Sequence, residues 1–153
     1  MITVVDTTLR DGMSSVGHGF TAGDVAAVAA GLDGAGVSVI EVGHGIGLGA
    51  SSLQYGVAAA SEPEYVSAAA GAAKRAEIAV LYVPGISTLS GLDAARAAGA
   101  SVVRVATHCT EADCAEQPIR HARELSMRVM SFLMMSHKLE PAALSDRDCC
   151  TDR

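Results

Sequence analysis

The stretch that decides the fold is Thr3-Val4-Val5-Asp6-Thr7-Thr8-Leu9-Arg10-Asp11-Gly12, near the start of a chain of 153 residues. A short apolar run ends here in an arginine beside an aspartate, and a glycine then allows a sharp turn. This order predicts a β-strand whose carboxyl end carries a fixed cation and an acid. The acid suits a divalent metal ion and the guanidinium suits an oxyanion, so this strand end is the first candidate site.

The pattern of a strand followed by a helix repeats along the rest of the chain. Predicted strands cover residues 2–5, 37–42, 78–83, 101–106 and 127–134. Predicted helices lie between them, one starting between Thr21 and Asp24, then about 62–76, 89–98 and 111–125, with a last one starting near Glu140. Strands joined by helices of this length indicate a parallel sheet with right-handed crossovers.

Two architectures fit this alternation. A doubly wound sheet of five strands would be complete at this length. A (β/α)8 barrel needs about 250 residues, so the chain would then hold five of the eight strands.

Polar side chains recur at the carboxyl end of nearly every predicted strand. After the first strand, the candidates are Glu41, His44, Thr107, His108, Ser136 and His137. In parallel α/β folds this end carries the active site, because loops and helix N-termini converge there. A lone histidine is more often structural than functional, but three at equivalent strand ends make each a candidate site-lining residue.

Composition excludes several classes of function. The net charge is -6 and no basic stripe is present, which argues against binding of nucleic acid. No apolar run approaches the roughly 20 residues of a membrane span, and the N-terminus lacks a secretion signal, so we expect a cytoplasmic protein. In that compartment the four cysteines are expected to be free thiols: Cys109, Cys114, Cys149 and Cys150.

A glycine-rich loop offers an alternative function. The segment Gly45-Ile46-Gly47-Leu48-Gly49-Ala50 formally matches the dinucleotide-binding pattern after a strand. That pattern also requires a helix that opens at once and an acid at the end of the next strand, whereas the third strand ends in Tyr82-Val83-Pro84. A small nucleotide-binding domain is therefore the weaker interpretation, and a mobile loop over the site is favoured.

Several motifs together resemble the 4-hydroxy-2-oxovalerate aldolases, which belong to the metal-dependent pyruvate-handling barrels with hydroxymethylglutaryl-CoA lyase and isopropylmalate synthase. The resemblance covers roughly residues 2–144. Its motifs are Thr8-Leu9-Arg10-Asp11-Gly12, Glu41-Val42-Gly43-His44-Gly45, Gly47-Leu48, Ser51-Ser52 and the segments 81–85, 104–113 and 132–137. The last three segments are specific to this aldolase, whereas the Arg-Asp pair marks the wider superfamily.

The resemblance implies an α/β fold, namely a partial (β/α)8 TIM barrel of about five βα units over residues 1–144. The tail over 145–153 is unlike the family and is expected to be disordered. The implied activity is that of a carbon-carbon lyase of aromatic hydrocarbon catabolism, which cleaves 4-hydroxy-2-oxovalerate to pyruvate and acetaldehyde. Arg10 would bind substrate and stabilise the enolate, and Asp11 would bind substrate and a divalent metal, usually Mn2+. An acylating acetaldehyde dehydrogenase would receive the aldehyde.

The sequence departs from the family at three places. Ser14 stands where the family has its catalytic histidine, which leaves Ser14 a site-lining candidate and the general base unidentified. His18 aligns with a different family histidine, so the role is not transferred to it. Ile46 replaces an aspartate, and the remaining metal ligands of the family, a His-x-His pair, belong to a strand beyond residue 153.

A third interpretation is a non-catalytic module that binds the dehydrogenase or a complete aldolase subunit. An open sheet of five strands would leave an unpaired edge and an uncovered apolar face. We therefore expect the isolated chain to self-associate or to be unstable.

Overall fold

The sheet consists of five parallel strands in the computed structural model, which describes residues 3–148. The strands are β1 (Val5–Asp6), β2 (Val39–Glu41), β3 (Glu77–Tyr82), β4 (Val102–His108) and β5 (Arg128–Met134). Their order across the sheet is the same as their order along the chain. A doubly wound sheet would reverse its order at a switch point. The sheet is therefore a curled half-barrel, which confirms the predicted partial (β/α)8 barrel and excludes the doubly wound alternative.

Five α-helices connect or follow the strands. They are α1 (Ala22–Gly34), α2 (Glu62–Ala72), α3 (Leu89–Ala97), α4 (Glu116–Glu124) and α5 (Pro141–Asp148). The predicted start of α1 is confirmed, since Asp24 N–H donates to Thr21 Oγ1 and the Asp24 carboxylate accepts from Thr21 N–H. None of the helices within residues 3–148 has the length and apolar character needed to cross a bilayer.

Some predicted boundaries differ from the structure. β1 begins at Val5, and Ile2, where the predicted strand began, lies outside the described residues. The predicted helix over 111–125 is split into a 3-10 turn, Ala112–Ala115, and α4. The last helix continues to Asp148, while Cys149, Cys150 and the rest of the predicted tail lie outside the described residues. The division at residue 144 stays a prediction.

The two faces of the sheet are packed differently. On the helix side, a large core includes Ile40, Val80 and Val103, which are shielded from solvent by the helices. On the concave side, a smaller layer joins buried Val39, Ala79 and Val102 with flanking Val5 and Met130. Since side chains alternate along a strand, the next residues on the concave side are Glu41 of β2 and Arg104 of β4. This apolar layer therefore lies below Glu41 and Arg104 at the carboxyl end of the half-barrel and packs beneath them.

The two edges of the sheet are open. Within residues 3–148, β1 pairs only with β2 and β5 only with β4. Met134 and Met135 at the end of β5 are 39% and 44% exposed. Unpaired edges and exposed apolar side chains favour association, and the expected self-association stays a prediction.

Asp33, at the end of α1, stops α2 before the predicted helix end at residue 76. Its carboxylate Oδ1 accepts from the backbone N–H groups of Arg75 and Ala76, at 2.8 and 2.7 Å. These two N–H groups therefore donate to the Asp33 side chain instead of to carbonyl groups one helical turn earlier. The Ala76 bond, followed by the Arg75 bond, holds the pKa of the Asp33 carboxyl below its usual 3.8.

Replacing Asp33 with asparagine is expected to lower stability at neutral pH, because the charged acceptor of two N–H groups is lost. The pKa is lower in the folded state, so the carboxylate stabilises fully above pH 3.8. That stabilisation disappears as the pH falls through the folded pKa. Urea midpoints of the wild type and Asp33→Asn between pH 7 and pH 2 should thus converge at the acid end. A gap of constant size would contradict this explanation.

Candidate active site

The centre of the candidate site is a buried carboxylate between two guanidinium groups. Glu41 is fully buried at the end of β2. Its Oε1 accepts from Arg10 Nε at 2.5 Å, and its Oε2 accepts from Arg104 Nη1 at 2.8 Å. The arginine side chains are only 12% and 20% exposed. A buried charge must be paired, and here the Glu41 carboxylate is paired with two guanidinium groups.

Local structure brings these three side chains together. Arg10 follows β1 in a turn, where its N–H donates to Thr7 O at 3.0 Å. Arg104 lies on β4, and its guanidinium lies 4.7 Å from the centre of the Phe132 ring on neighbouring β5. This cation–π contact helps to hold the Arg104 side chain, whose Nη1 donates to Glu41. Both arginines are thus fixed before any ligand binds.

Arg10 also contacts its neighbour along the chain. Its Nη1 donates to Asp11 Oδ1 at 2.8 Å and to the carbonyl of Gly45 at 3.3 Å. Asp11 is 71% exposed, so its carboxylate is accessible while the guanidinium beside it is held in place. The structure therefore brings the two predicted site residues together at the carboxyl end of β1. Their roles in binding and catalysis stay predictions.

His44 is buried inside its own loop. Its Nδ1 accepts from Ile46 N–H at 3.2 Å, so the proton is on Nε2, which donates to Gly56 O at 3.1 Å. Burial is the main cause that lowers the pKa of the His44 imidazole, and the nearby His18 lowers it further. His18 stacks on the ring, with centroids 3.8 Å apart and planes 9° apart. Both nitrogens of His44 are taken by backbone groups, and this imidazole is neutral.

Three further predicted site residues lie in turns or at the end of a strand. Ser14 is exposed in the 3-10 turn Asp11–Val16 and lies against Gly45. His108 ends β4, where its Nδ1 contacts Thr110 Oγ1 at 2.7 Å, and it lines a cavity of about 320 Å³ with Glu111 and other residues. His137 is exposed in a 3-10 turn after β5. The structure thus distributes these residues over the same end of the sheet without joining them, and their site-lining roles stay predictions.

A divalent metal does not fit the described residues by themselves. Asp11 offers an exposed carboxylate, but both oxygens of Glu41 are taken by guanidinium groups. Among residues 3–148, no three His, Cys, Asp or Glu side chains converge where a cation could bind. Mn2+ and Mg2+ favour several oxygen ligands, so one carboxylate is not a complete site.

The glycine-rich loop is not followed by a helix N-terminus. Leu48 N–H donates to Leu81 O at 2.9 Å, which fixes the loop against the end of β3. The next helix is α2, which starts only at Glu62. The loop therefore lacks the helix that a dinucleotide-binding fingerprint requires.

Two features of the candidate site were not predicted from the sequence. Arg104 was noted only as part of a motif, and its link to Glu41 was not predicted. His18 was set aside, although its ring is buried and packed on His44. The sequence does carry a signal for the Arg104–Glu41 pair, since a charged residue within an apolar strand needs a counter-charge when it is buried.

Comparison with known proteins finds one matching family and several similar proteins. The model of the HMGL-like family matches residues 1–147. The chain is 66% identical over 146 residues to 4-hydroxy-2-oxovalerate aldolase 2 of Nocardia farcinica. This match covers 95% of this chain and 42% of that protein. It is 51% identical to the 4-hydroxy-2-oxovalerate aldolase of Carboxydothermus hydrogenoformans, over 95% of this chain and 44% of that protein. The chain thus spans less than half the length of these relatives.

A solved structure supports the fold independently. The N-terminal domain of a protein proposed to be an aldolase, from Bacteroides vulgatus, superposes with a TM-score of 0.69 at 17% identity. The match covers 90% of this chain and 46% of that one. At this identity the likeness concerns the half-barrel alone.

Proposed function

The chain belongs to the HMGL-like family, and from this membership we propose that it acts as a carbon-carbon lyase in the aldol cleavage of 4-hydroxy-2-oxovalerate to pyruvate and acetaldehyde. The names of its relatives support this substrate. The single observation that carries the proposal is the Arg10 guanidinium, held between buried Glu41 and Gly45 O at the carboxyl end of β1.

Arg10 has the properties that an enolate requires. Cleavage of the C3–C4 bond moves an electron pair into the pyruvate part and places negative charge on its 2-oxo oxygen. A guanidinium stabilises such an oxyanion through charge-assisted hydrogen bonds. Glu41 fixes the Arg10 guanidinium in advance, and Arg104 shares the same carboxylate. Little reorganisation is therefore needed during the reaction.

We also propose Mn2+ as the cofactor, with Asp11 as one ligand. The exposure of this carboxylate, and its place beside Arg10, support the assignment. Further ligands must come from outside the described residues, and the family pattern locates a His-x-His pair on a later strand. The binding of substrate by Asp11 belongs to the same proposal.

Replacing Asp11 with asparagine is expected to weaken Mn2+ binding by about ten-fold or more, because changes even to groups behind a metal ligand cost 10- to 100-fold in affinity. Titration of free Mn2+ by electron paramagnetic resonance measures this directly. Asp113→Asn is the matched control, since it removes a carboxylate from a different turn. Equal Mn2+ affinity in wild type and Asp11→Asn would remove Asp11 from the site.

An acylating acetaldehyde dehydrogenase is the proposed partner, in an oligomeric assembly in the cytoplasm. A second candidate function, a non-catalytic module that pairs with that dehydrogenase or with a complete aldolase subunit, is favoured by the exposed edge at Met134 and Met135. Co-purification with either protein, without any pyruvate release, would support the module over the enzyme.

Pyruvate release from 4-hydroxy-2-oxovalerate tests the proposed function. The purified chain is incubated with substrate and Mn2+, and pyruvate is measured with lactate dehydrogenase and NADH. We expect release that depends on protein concentration and stops when a chelator removes the metal. A folded chain that releases no pyruvate at saturating Mn2+ would overturn the proposal.

A further inference from the structure

His18 carries a buried nitrogen without a partner. The residue is 8% exposed, and within the part of the chain that the structure describes its Nε2 has no hydrogen-bond partner. Its φ of 60° lies in the left-handed region, which is uncommon for a residue with a side chain. Buried unsatisfied groups and strained backbones occur together at functional sites, so this histidine requires an explanation.

Two glycines make room for the His18 ring. A Cβ on Gly56 would lie 2.8 Å from Nδ1, and a Cβ on Gly45 would lie 3.1 Å from Nε2. The same Cβ on Gly45 would collide with Ser14 Oγ. Ser14 Oγ and His18 Nε2 therefore border the same small space beside Gly45, which a Cβ on that residue would fill. The carbonyl of that glycine binds Arg10, so the serine–histidine pair lies next to the guanidinium.

Ser14 and His18 differ in their exposure to solvent. Ser14 is exposed and can meet a substrate, whereas His18 is buried behind it. His44 cannot accept a proton in the same way, because Ile46 N–H occupies its Nδ1 and its Nε2 already carries a proton. Of the two stacked rings in the described part of the chain, His18 is thus the one whose Nε2 is available to accept a proton.

We propose that Ser14 and His18 form a proton relay that deprotonates the 4-hydroxyl group of the substrate, an inference that rests on the proposed function. Ser14 Oγ contacts the hydroxyl group, and His18 Nε2 accepts the proton through Ser14. The relay takes the place of the single histidine that the family has at the position of Ser14.

The 4-hydroxyl proton moves to Ser14 Oγ while the Ser14 proton moves to His18 Nε2. The C4=O bond of the aldehyde forms, the C3–C4 bond breaks, and its electron pair becomes the enolate next to Arg10. The imidazolium of His18 then returns its proton through Ser14 and solvent to C3, which yields the methyl group of pyruvate. Ser14 Oγ is not hydrogen-bonded to His18 Nε2 in the structure, and this bond is expected to form when substrate binds.

Kinetics of matched variants test the relay. We expect Ser14→Ala and His18→Gln each to lower kcat by about 10²- to 10⁴-fold, and the double variant to be no worse than either, since the residues act as a unit. Ser14→His places an imidazole directly at the substrate, so adding His18→Gln to it should cost little. Added imidazole should restore part of the activity of His18→Gly. Ser15→Ala and His121→Gln are the controls on neighbouring and surface positions.

A structural role for His18 predicts a different result. His18→Gln would then cost as much in the Ser14→His background as in the wild type, and imidazole would restore nothing. Either result overturns the relay while the proposed function stands. A wild-type chain that releases no pyruvate overturns both.

A measurement that needs no activity tests whether the pair exists. Imidazole ¹⁵N NMR of the full chain should show neutral His18 with an unprotonated Nε2, whose signal moves in Ser14→Ala and not in Ser15→Ala. A protonated Nε2 in neutral His18, or a signal indifferent to Ser14, would overturn the inference.

Discussion

Replacing Arg10 with alanine is expected to lower kcat for pyruvate release by about 10²- to 10³-fold, the usual cost of losing one preorganised oxyanion donor. The guanidinium meets the enolate oxygen only as charge develops on it, so the loss should fall on kcat more than on KM. The measurement is steady-state pyruvate release at saturating Mn2+. Circular dichroism confirms that the variant is folded.

Arg10→Lys is the informative companion of this variant. Lysine keeps the charge but cannot donate from a fixed fork to both Glu41 and an oxyanion, so only part of the activity should remain. Ser15→Ala, in the turn that follows Arg10, should behave as the wild type. Activity that survives in Arg10→Ala would show that another group stabilises the enolate.

Replacing Glu41 with alanine is expected to lower the free energy of unfolding by about 3–5 kcal/mol, the range for breaking a buried ion pair from one side. The reason is that Arg104, which is largely buried, would lose its counter-charge, and Arg10 would keep only that of the exposed Asp11. Urea denaturation at pH 7 measures the change. Pyruvate release should fall as well, because Arg10 loses the contact that positions it.

Two further variants separate charge from packing. Glu41→Gln keeps the shape but not the charge and should also be strongly destabilised, whereas Glu140→Gln on the surface should change little. In Glu41→Ala with Arg104→Met, the cation that would be left without a partner is removed, and part of the stability should return. A loss below about 1 kcal/mol for Glu41→Ala, the size of an exposed pair, would contradict the buried arrangement.

Local patterns gave most of the elements correctly. Helix starts were readable because a capping residue and an acid three positions later, as in Thr21 and Asp24, satisfy their own backbone groups without distant partners. Boundaries set by distant contacts were less readable. α2 ends early because Asp33, some forty residues earlier in the chain, takes the N–H groups of Arg75 and Ala76.

The order of the strands was not contained in any local pattern. A doubly wound sheet and a barrel use the same βα units, and only long-range pairing such as β1 with β2 and β2 with β3 distinguishes them. The resemblance of several motifs to a barrel family resolved this, whereas periodicity alone left both architectures open.

The candidate site was only partly readable for the same reason. Arg10 and Asp11 are adjacent in sequence, so their pairing was visible at once. Glu41 and Arg104 are far apart in sequence and meet because alternation on β2 and β4 directs both to the concave face. His18 follows no strand, and its burial depends on a left-handed turn and on two distant glycines.

The affinity of an enolate mimic measures the contribution of Arg10 most directly. Oxalate is a planar dianion that resembles the enolate of pyruvate, and its Kd can be determined by calorimetry with Mn2+ present. A charge-assisted hydrogen bond contributes about 1.5–3 kcal/mol, so Arg10→Ala should bind oxalate about 10- to 100-fold more weakly than the wild type and Ser15→Ala. Equal affinities in all three proteins would contradict the central claim that Arg10, held by Glu41, receives the developing negative charge.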